Sequence, residues 1–408
     1  TEFMPKHIKD PVHGYIEVPA ELVPLVDAQA LQRLHHIRQL GFAYLVYPGA
    51  NHTRFEHSLG AMHLASLLCR HLEFDDAETR TICCAALLHD IGHGPYSHAS
   101  ERLMQEYESF SHDDIRELMN KPGLTDLLEK NSVSADEVAA LISGSHRYAG
   151  IIHGDLDVDR MDYLLRDAHY TGAPYGNFDA ERLIKSIAIS SDTLVLNESG
   201  ISAAESLLIA RTLMGPSVYY HHACRIAEEM FLLACRRHFG TDAAAVREFL
   251  MKDDVTATAL LISSPKEITR DLMTRIRTRN LYKRAVYAGR ELVDRDHLPH
   301  SKNGIERMHT AIAETAGVAP DQIILDIPHL RKEMKMDVKV SKHHDLVPFE
   351  EIVPMIAMMN ATRQGQWRLG VYAPAGLREK VGDAAREVLD IRTRNLYKRA
   401  VYAGRELV

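Results

Sequence analysis

The chain has 408 residues and a net charge of −8, with 46% apolar and 25% charged residues, which is typical of a globular protein with a large buried core. The negative charge argues against a broad basic face for duplex nucleic acid, and contact with a single strand stays open without being predicted. No apolar run approaches the roughly 20 residues of a membrane-spanning helix, so no membrane partner is expected. The five cysteines show no CxxC spacing, which indicates reduced thiols and a cytoplasmic protein.

Helical periodicity dominates the chain up to about residue 273. Apolar residues at helical spacing predict a first helix within residues 19–40 and a second over about 55–71. A third opens at Asp75, with Glu78 three residues on as in a capping box, and runs to about residue 90. A short β-like interruption falls at residues 193–196.

The pattern changes after about residue 300. Apolar and β-branched residues predict strands at 322–327, 336–340 and 367–372, followed by a helix at 375–389. The expected fold class is therefore mainly α. We expect a large helical domain over residues 4–300 and a smaller α+β portion over residues 301–390.

Two segments are interpreted as artefacts of cloning or sequence assembly. Residues 276–293 recur without a change at 391–408, whereas a functional repeat drifts in sequence and a solenoid needs at least three copies. The second copy is therefore assigned no function. The three residues before Met4 resemble a vector-derived leader.

Histidine is concentrated in one region, where ten of the 24 histidines lie between His35 and His112. Such a concentration indicates metal or proton chemistry. Within it, His89 and Asp90 end the third predicted helix before the sequence IGHGP, which cannot extend a helix. A buried carboxylate needs a cation or strong hydrogen bonds. For an isolated pair, bonds from the backbone of the following turn would satisfy Asp90.

Two further segments carry polar residues at suggestive spacing. Arg54 and His57 lie three residues apart near a predicted helix start and therefore share one face. Residues 155–167 contain several aspartates, but Arg160 at the sixth position and Arg166 at the twelfth exclude a calcium-binding EF-hand loop. A helix starting near residue 157 explains this segment better.

Together these segments resemble the HD-domain superfamily, whose ordered pattern is H…HD…D. Over roughly residues 5–240 the chain is similar to the deoxynucleoside triphosphate triphosphohydrolases, a branch that includes the vertebrate enzyme with a sterile-alpha-motif domain. The similar stretches are KDPVHG (9–14), LQRL (31–34), QLG (39–41), PGA (48–50), RFEHSLG (54–60), HDIGHGPYSH (89–98) and DVDRMDY (157–163). No sterile-alpha-motif domain is expected, because these motifs begin almost at the N-terminus.

The resemblance implies a mononuclear metal site and a set of acid–base residues beside it. The implied ligands of one divalent ion (Mn, Fe, Mg or Zn) are His57, His89, Asp90 and Asp159. A second ion held by the clustered histidines stays open. The implied catalytic residues, on the phosphate and proton-transfer side, are His93, His98, Glu101 and His112. For His112 a solvated residue at a helix start is the alternative.

The resemblance also implies substrate contacts. Arg54, Arg160, Tyr163 and Arg211 would contact the triphosphate, since arginine binds phosphate oxygens two at a time. Arg160 stands where the vertebrate enzyme has lysine. Gln39 and Asp167 would hold the 3′-hydroxyl, and Leu40 and Tyr219 would crowd C2′, although Leu40 alone is equally explained as a core leucine. Tyr220 replaces a glutamine of the vertebrate enzyme, so base preference does not carry over.

Regulation in the family involves a nucleotide bound with Mg between subunits. Its residues match Lys6, Asp27 and Gln32, whereas His35 replaces the guanine-reading arginine. An allosteric nucleotide site of altered preference, or its loss, is therefore implied. The KDPVHG stretch lies at a subunit contact in the family, which implies a homo-oligomer, a dimer or a tetramer.

The implied function is the metal-dependent hydrolysis of deoxynucleoside triphosphates to deoxynucleoside and triphosphate. Two alternatives stay open. One is an HD-type phosphatase or pyrophosphatase acting on other nucleotides. The other is a nucleotide-binding protein whose metal is structural.

Overall fold

Helices form most of the fold, and the predicted mainly α class with a smaller α+β part is confirmed. A computed structural model describes residues 4–107, 112, 115–119, 123–293, 298–299, 301–328, 336–343 and 345–391. In chain order the helices are α1 (Val23–Val26), α2 (Gln29–Gln32), α3 (Arg54–His71), α4 (Asp76–Leu88), α5 (His98–Tyr107), α6 (Arg116–Met119), α7 (Leu124–Lys130), α8 (Ala135–Ser143), α9 (Val158–Thr171), α10 (Ala180–Ser186), α11 (Ile201–Met214), α12 (His222–Phe239), α13 (Ala243–Leu250), α14 (Asp254–Ile262), α15 (Glu267–Arg277), α16 (Lys302–Ala316), α17 (Phe349–Ile352), α18 (Met355–Gly365) and α19 (Arg378–Val388). Within these residues, no helix combines the length and the apolar character needed to cross a membrane.

The strands of the described segments form three small sheets. In chain order they are β1 (Lys6–Asp10), β2 (Gly14–Val18), β3 (Ile187–Ser190), β4 (Thr193–Asn197), β5 (Lys283–Gly289), β6 (Ile324–Asp326), β7 (Lys339–Lys342), β8 (Asp345–Pro348) and β9 (Arg368–Ala373). β1 and β2 form an antiparallel hairpin. The second sheet has the order β3-β4-β7-β8, in which β4 and β7 are parallel. The third has the order β5-β9-β6 and is antiparallel.

The apolar stretch of residues 19–40 is not one helix, so this prediction is wrong. α1 ends at Val26, and Ala28 has extended backbone angles (φ −66°, ψ 140°) that redirect the chain into α2. Leu25 and Leu31 are nevertheless both fully buried. Short helical segments that change direction can therefore present the same apolar side chains to one core.

The second and third predicted helices are confirmed as α3 and α4. Thr53 and Glu56 form a capping box at the start of α3. Asp75 accepts hydrogen bonds from the backbone N–H groups of Ala77 (2.9 Å) and Glu78 (2.8 Å), which satisfies the free amides at the start of α4. These caps fix where both helices begin, and therefore which side chains face the core.

The close packing of α3 against α9 depends on a glycine. A Cβ atom at Gly60 would lie 1.8 Å from Oδ1 of Asp162 and 2.5 Å from Nη2 of Arg166. Both charged side chains are fully buried. Because there is no Cβ at residue 60, the two helices can enclose this ion pair between them.

The C-terminal strands differ in detail from the predicted ones. Those predicted at 322–327 and 367–372 are β6 and β9, whereas β7 begins three residues after the start of the strand predicted at 336–340. β5 and β8 have no counterpart in the prediction: β8 has only four residues, too few to show alternation, and β5 has the buried pattern of a strand only through its pairing with β9. The helix predicted at 375–389 is α19.

The predicted domain division stays a prediction, and two sheets join its parts. β4 pairs with β7, and β5 pairs with β9, so each of these sheets contains strands from both sides of residue 300. The first copy of the repeated segment forms the end of α15 and β5. Of the second copy, only residue 391 lies within the described residues. The three residues before Met4 lie outside them.

Gly60→Ala should destabilise the protein by about 2 kcal/mol or more, because the new methyl group collides with a buried ion pair. Gly365→Ala is the matched control, since nothing lies within 4 Å of its Cβ position at the end of α18. That change should be neutral or stabilise by about 0.5 kcal/mol. Urea denaturation measures both, and equal midpoints for the two variants would contradict the packing described.

Candidate metal centre and active-site cavity

The four residues expected to bind metal converge from three helices. His57 lies in the first turns of α3, His89 and Asp90 follow the end of α4, and Asp159 lies in the first turn of α9. Nε2 of His57 lies 3.2 Å from Nε2 of His89 and 2.9 Å from Oδ1 of Asp159. Nε2 of His89 lies 3.4 Å from Oδ1 of Asp90. Their assignment as ligands stays a prediction.

The chemistry of these donors suits a divalent cation. Nδ1 of His57 donates to Oδ2 of Asp162 (2.7 Å), and Nδ1 of His89 donates to the carbonyl of Ala86 (2.7 Å), because both partners are acceptors. When both rings are neutral, both Nε2 atoms therefore direct lone pairs at each other and at two carboxylates, which is unfavourable unless a proton or a metal ion lies among them. Burial alone would lower the pKa of His57, but hydrogen bonds to Asp159 and Asp162 raise it to about 10. This cluster attracts a cation.

A buried ionic network supports His57 from behind. Asp162 bonds Nε2 of His13 (2.6 Å) and forms two hydrogen bonds with Arg166 (2.9 and 3.0 Å). Arg166 in turn donates to Asp10 on β1 (2.7 Å). Sequence reasoning gave these four residues no role at the site. The signal was available, since Asp10 and His13 belong to the KDPVHG stretch and Asp162 lies one helical turn after Asp159.

The expected acid–base residues lie together around one carboxylate. Oε1 of Glu101 is 2.9 Å from Nδ1 of His98 and 2.7 Å from Nδ1 of His112. The ring of His93 stacks on His112 at 3.9 Å, and its Nε2 lies 3.4 Å from Oδ1 of Asp90. Burial opposes ionisation of Glu101, but the neighbouring histidines hold its pKa well below the usual range. Glu101 is therefore an anion that can support protonated imidazoles.

Arg54 connects this group to a strained turn. Its Nη1 donates to Asp90 (2.7 Å) and its Nε to the hydroxyl of Ser97 (2.7 Å), whereas the buried Nη2 has no hydrogen-bond partner among the described residues. Tyr96 and Ser97 have φ angles of 57° and 55°, in the left-handed region that favours glycine. Asp254 holds the turn by accepting from the backbone N–H of Tyr96 (2.6 Å). The held turn fixes the position of the Ser97 hydroxyl, and the hydrogen bond from Arg54 to this hydroxyl fixes the guanidinium.

These residues open into a cavity of about 510 Å³. The cavity is lined by most of the residues expected at the active site, namely His89, Asp90, Asp159, His93, His98, His112, Arg54, Gln39, Leu40, Tyr163, Asp167 and Tyr219. Four further charged or titratable residues that sequence reasoning missed also line it: Arg102, His153, Arg225 and Glu228. Three of them lie on α5 and α12, whose relation to the histidine cluster no sequence motif indicates.

Asp167 connects the sugar-side residues. It accepts hydrogen bonds from the hydroxyl of Tyr219 (2.9 Å) and from Nε2 of His52 (2.8 Å). Burial, followed by the nearby charge of Asp167, raises the pKa of Tyr219 well above its usual value, so this hydroxyl stays protonated. Oε1 of Gln39 is buried and has no hydrogen-bond partner within the described part of the chain.

Two of the expected phosphate contacts do not line the cavity. Nη1 of Arg160 donates to the backbone carbonyl of Asp155 (2.5 Å), and its Nη2 lies 3.7 Å from Asp157. Arg211 lies on α11 and acts electrostatically on Tyr163 and Asp155. Both arginines therefore surround the N-terminus of α9, and their role in phosphate binding stays a prediction.

The three expected allosteric residues lie at the N-terminal hairpin and α1–α2. Nζ of Lys6 pairs with Asp27 at 3.2 Å, and both side chains are about half exposed. Gln32 instead donates to the backbone carbonyl of Val26 (2.8 Å). His35 stacks on Phe55 with ring centroids 3.6 Å apart. None of these contacts tests an allosteric role.

Asp159→Ala should remove most of the metal affinity, because it deletes one of four converging donors. This side chain is a better choice than Asp90, whose removal would also leave the buried Arg54 without its carboxylate partner. Metal content after dialysis and titration with Mn²⁺ measure the effect, with Asp126→Ala on α7 as an exposed control. Stoichiometric metal in the Asp159 variant would show that the ligand assignment is wrong.

Comparison with known proteins identifies the family. Residues 54–167 match the HD domain, and residues 178–393 match the HD associated region. The uncharacterized protein MJ1154 of Methanocaldococcus jannaschii is 32% identical over 90% of this chain and 79% of its own length. Deoxynucleoside triphosphate triphosphohydrolase SAMHD1 of Gallus gallus is 28% identical over 68% of this chain, which spans 55% of that protein. A phosphohydrolase from Bacteroides thetaiotaomicron is 25% identical with a TM-score of 0.69, covering 91% of this chain and all of its own. The chain therefore belongs to the HD-domain family of metal-dependent phosphohydrolases, with the HD associated region following the HD domain.

Proposed function

We propose that the protein hydrolyses deoxynucleoside triphosphates to deoxynucleoside and triphosphate. We call the four predicted ligands, His57, His89, Asp90 and Asp159, the metal-type cluster. The observation that carries this proposal is a single cavity that joins this cluster at one side to the Asp167–Tyr219 pair at another. A nucleotide with its α-phosphate at the cluster would extend its sugar to that pair. The similarity to enzymes named for this activity supports the same substrate class.

The sugar side suits a deoxyribose. The unpaired Oε1 of Gln39 and the carboxylate of Asp167 are acceptors for a 3′-hydroxyl. Leu40, next in the chain to Gln39, and Tyr219, bonded to Asp167, also line the cavity, so a 2′-hydroxyl beside them would meet apolar surface. Ribonucleotides should therefore be poor substrates.

The phosphate side offers positive charge and a positioned guanidinium. His57, His89, Asp90 and Asp159 would hold the divalent ion, which supplies Lewis-acid polarisation of a phosphoryl oxygen and lowers the pKa of an attacking water. The free Nη2 of Arg54 can donate to a phosphate oxygen without losing the bonds of its other nitrogens. Because Ser97 and Asp90 already fix this guanidinium, little ordering entropy is lost on binding.

The leaving deoxynucleoside needs a proton on its 5′-oxygen. Nδ1 of His98 donates to Glu101, so Nε2 donates when the ring is protonated, and the side chain is 66% exposed at the cavity wall. His112 bonds the same carboxylate and is a second donor. Water attacks the α-phosphorus opposite the 5′-oxygen and loses a proton to solvent, the P–O5′ bond breaks, and a proton passes from a protonated imidazole to that oxygen.

We also propose a homo-oligomer that binds a nucleotide, with Mg, near Lys6 and Asp27. In support, this ion pair is exposed at the hairpin end of the chain. However, Asp10 and His13 of the KDPVHG stretch bond within the chain, to Arg166 and Asp162. That stretch therefore has a structural role here independent of any subunit contact.

Digestion of dGTP with Mn²⁺ or Mg²⁺ should yield deoxyguanosine and intact triphosphate, resolved by ion-exchange chromatography. A phosphatase would release orthophosphate and dGDP, and a pyrophosphatase would leave dGMP. GTP is the matched control substrate and should react at least about tenfold more slowly, since its 2′-hydroxyl would be desolvated without a partner. If dGDP or dGMP is the nucleoside-containing product, the proposed reaction is wrong even where the metal site is right.

A further inference from the structure

One wall of the cavity extends along α12, beyond the residues assigned to sugar and phosphate. Arg225, Glu228 and Leu232 line it at spacings of three and four residues, which is one face of the helix. With Cys224, this wall spans roughly 12 Å along the helix axis at 1.5 Å per residue. It begins next to Tyr219 and Tyr220, which also line the cavity. We call these four residues of α12 the α12 wall.

The two arginines at this end of the cavity are already paired. Arg225 donates to both carboxylate oxygens of Asp326 on β6, each at 2.6 Å. Arg102, which faces the α12 wall from α5, is bonded to Glu229. These ion pairs consume much of the hydrogen-bonding capacity of both guanidinium groups, and they anchor α5, α12 and the third sheet to one another.

Glu228 differs from these neighbours. Among the described residues, no hydrogen bond or ion pair joins its carboxylate to another side chain, although it lines the cavity and is half-buried. Burial raises the pKa of Glu228 to about 7, an effect that the charge of Arg225 opposes and that of Glu229 reinforces. A carboxyl group kept in such surroundings without a partner is the kind of group that a ligand satisfies.

The charge of Glu228 decides which part of a nucleotide it meets. The ionised carboxylate repels a triphosphate and the neutral carboxyl does not attract one, so the phosphates belong beside Arg54 and the metal-type cluster and not beside Glu228. The neutral base bears N–H donors and two apolar faces. Leu232, one helical turn after Glu228, and Ala99 of α5 supply apolar surface to the same cavity, which suits those faces.

We propose that Glu228 selects the nucleobase by accepting a hydrogen bond from its exocyclic amino group. Adenine, cytosine and guanine carry such a group and thymine does not. Guanine also presents a ring N–H beside its amino group, so both carboxylate oxygens can be used and guanine is favoured most. This inference rests on the proposed nucleotide substrate, and it makes dTTP the poorest of the four substrates.

The test compares Glu228→Ala with the wild-type protein on dGTP, dATP, dCTP and dTTP. Both kcat/KM and the Kd of analogues that are not hydrolysed at the α-phosphorus are measured. The variant should lose about tenfold or more for dGTP, because a hydrogen bond to a charged group is lost, and change less than about twofold for dTTP. Glu228→Gln, which keeps one acceptor oxygen, should fall between the two. Glu205→Ala on α11, a carboxylate outside the cavity, should leave all four values unchanged.

The outcomes separate this inference from the proposed reaction. If Glu228→Ala keeps the wild-type ratio of dGTP to dTTP in both turnover and binding, the inference is wrong and the reaction stands. If the wild-type protein releases dNMP or dNDP but the variant loses base discrimination, the inference stands and the reaction is wrong. If neither protein binds any of the four nucleotides, both are wrong. An equal loss for all four bases would show a structural role, and would also overturn the inference.

Discussion

Asp162, buried between α3 and α9, accepts a hydrogen bond from Nδ1 of His57 and so determines that the lone pair of this ring faces the metal-type cluster. The carboxylate is kept ionised because Arg166 and His13 bond it, and the pKa of Asp162 lies well below its usual value in spite of burial. The Asp162–Arg166 ion pair occupies the space that a side chain at residue 60 would need. The same pair anchors β1, because Arg166 donates to Asp10. A buried charged network therefore determines both the distance between α3 and α9 and the orientation of the His57 ring.

The sequence predicts those parts of the site that are local in the chain. His89 and Asp90 follow a helix end, Arg54 and His57 share one helix face, and each pattern is readable within a few residues. The support for His57 is not local, since Asp162 lies 105 residues away from it and His13, the partner of Asp162, lies 149 residues before Asp162 in the chain. Helical periodicity also fails to predict where one short helix ends and the next begins, as at Ala28. The spacing of buried apolar residues is the same in one long helix and in two short ones.

The half of the cavity formed by α5 and α12 illustrates a second limit. Arg225, Glu228 and Leu232 read as an ordinary amphipathic helix face, and only the packing against α5 makes that face part of the cavity wall. Both the α12 wall and Asp326, which pairs with Arg225, lie within the HD associated region. In the proposed reaction the HD domain would supply the metal ligands and acid–base residues, and the HD associated region would supply the α12 wall that meets the base.

The most direct measurement of the central claim is the fate of oxygen during hydrolysis of dGTP in ¹⁸O-labelled water, followed by mass spectrometry of the products. Attack of water on the α-phosphorus, with the Asp167 side of the cavity holding the sugar and Arg54 the phosphate, places one ¹⁸O atom in the triphosphate and none in the deoxyguanosine. Label in orthophosphate would mean attack at the γ-phosphorus, and label in deoxyguanosine would mean cleavage at the 5′-carbon. Either result would contradict the proposed use of this cavity.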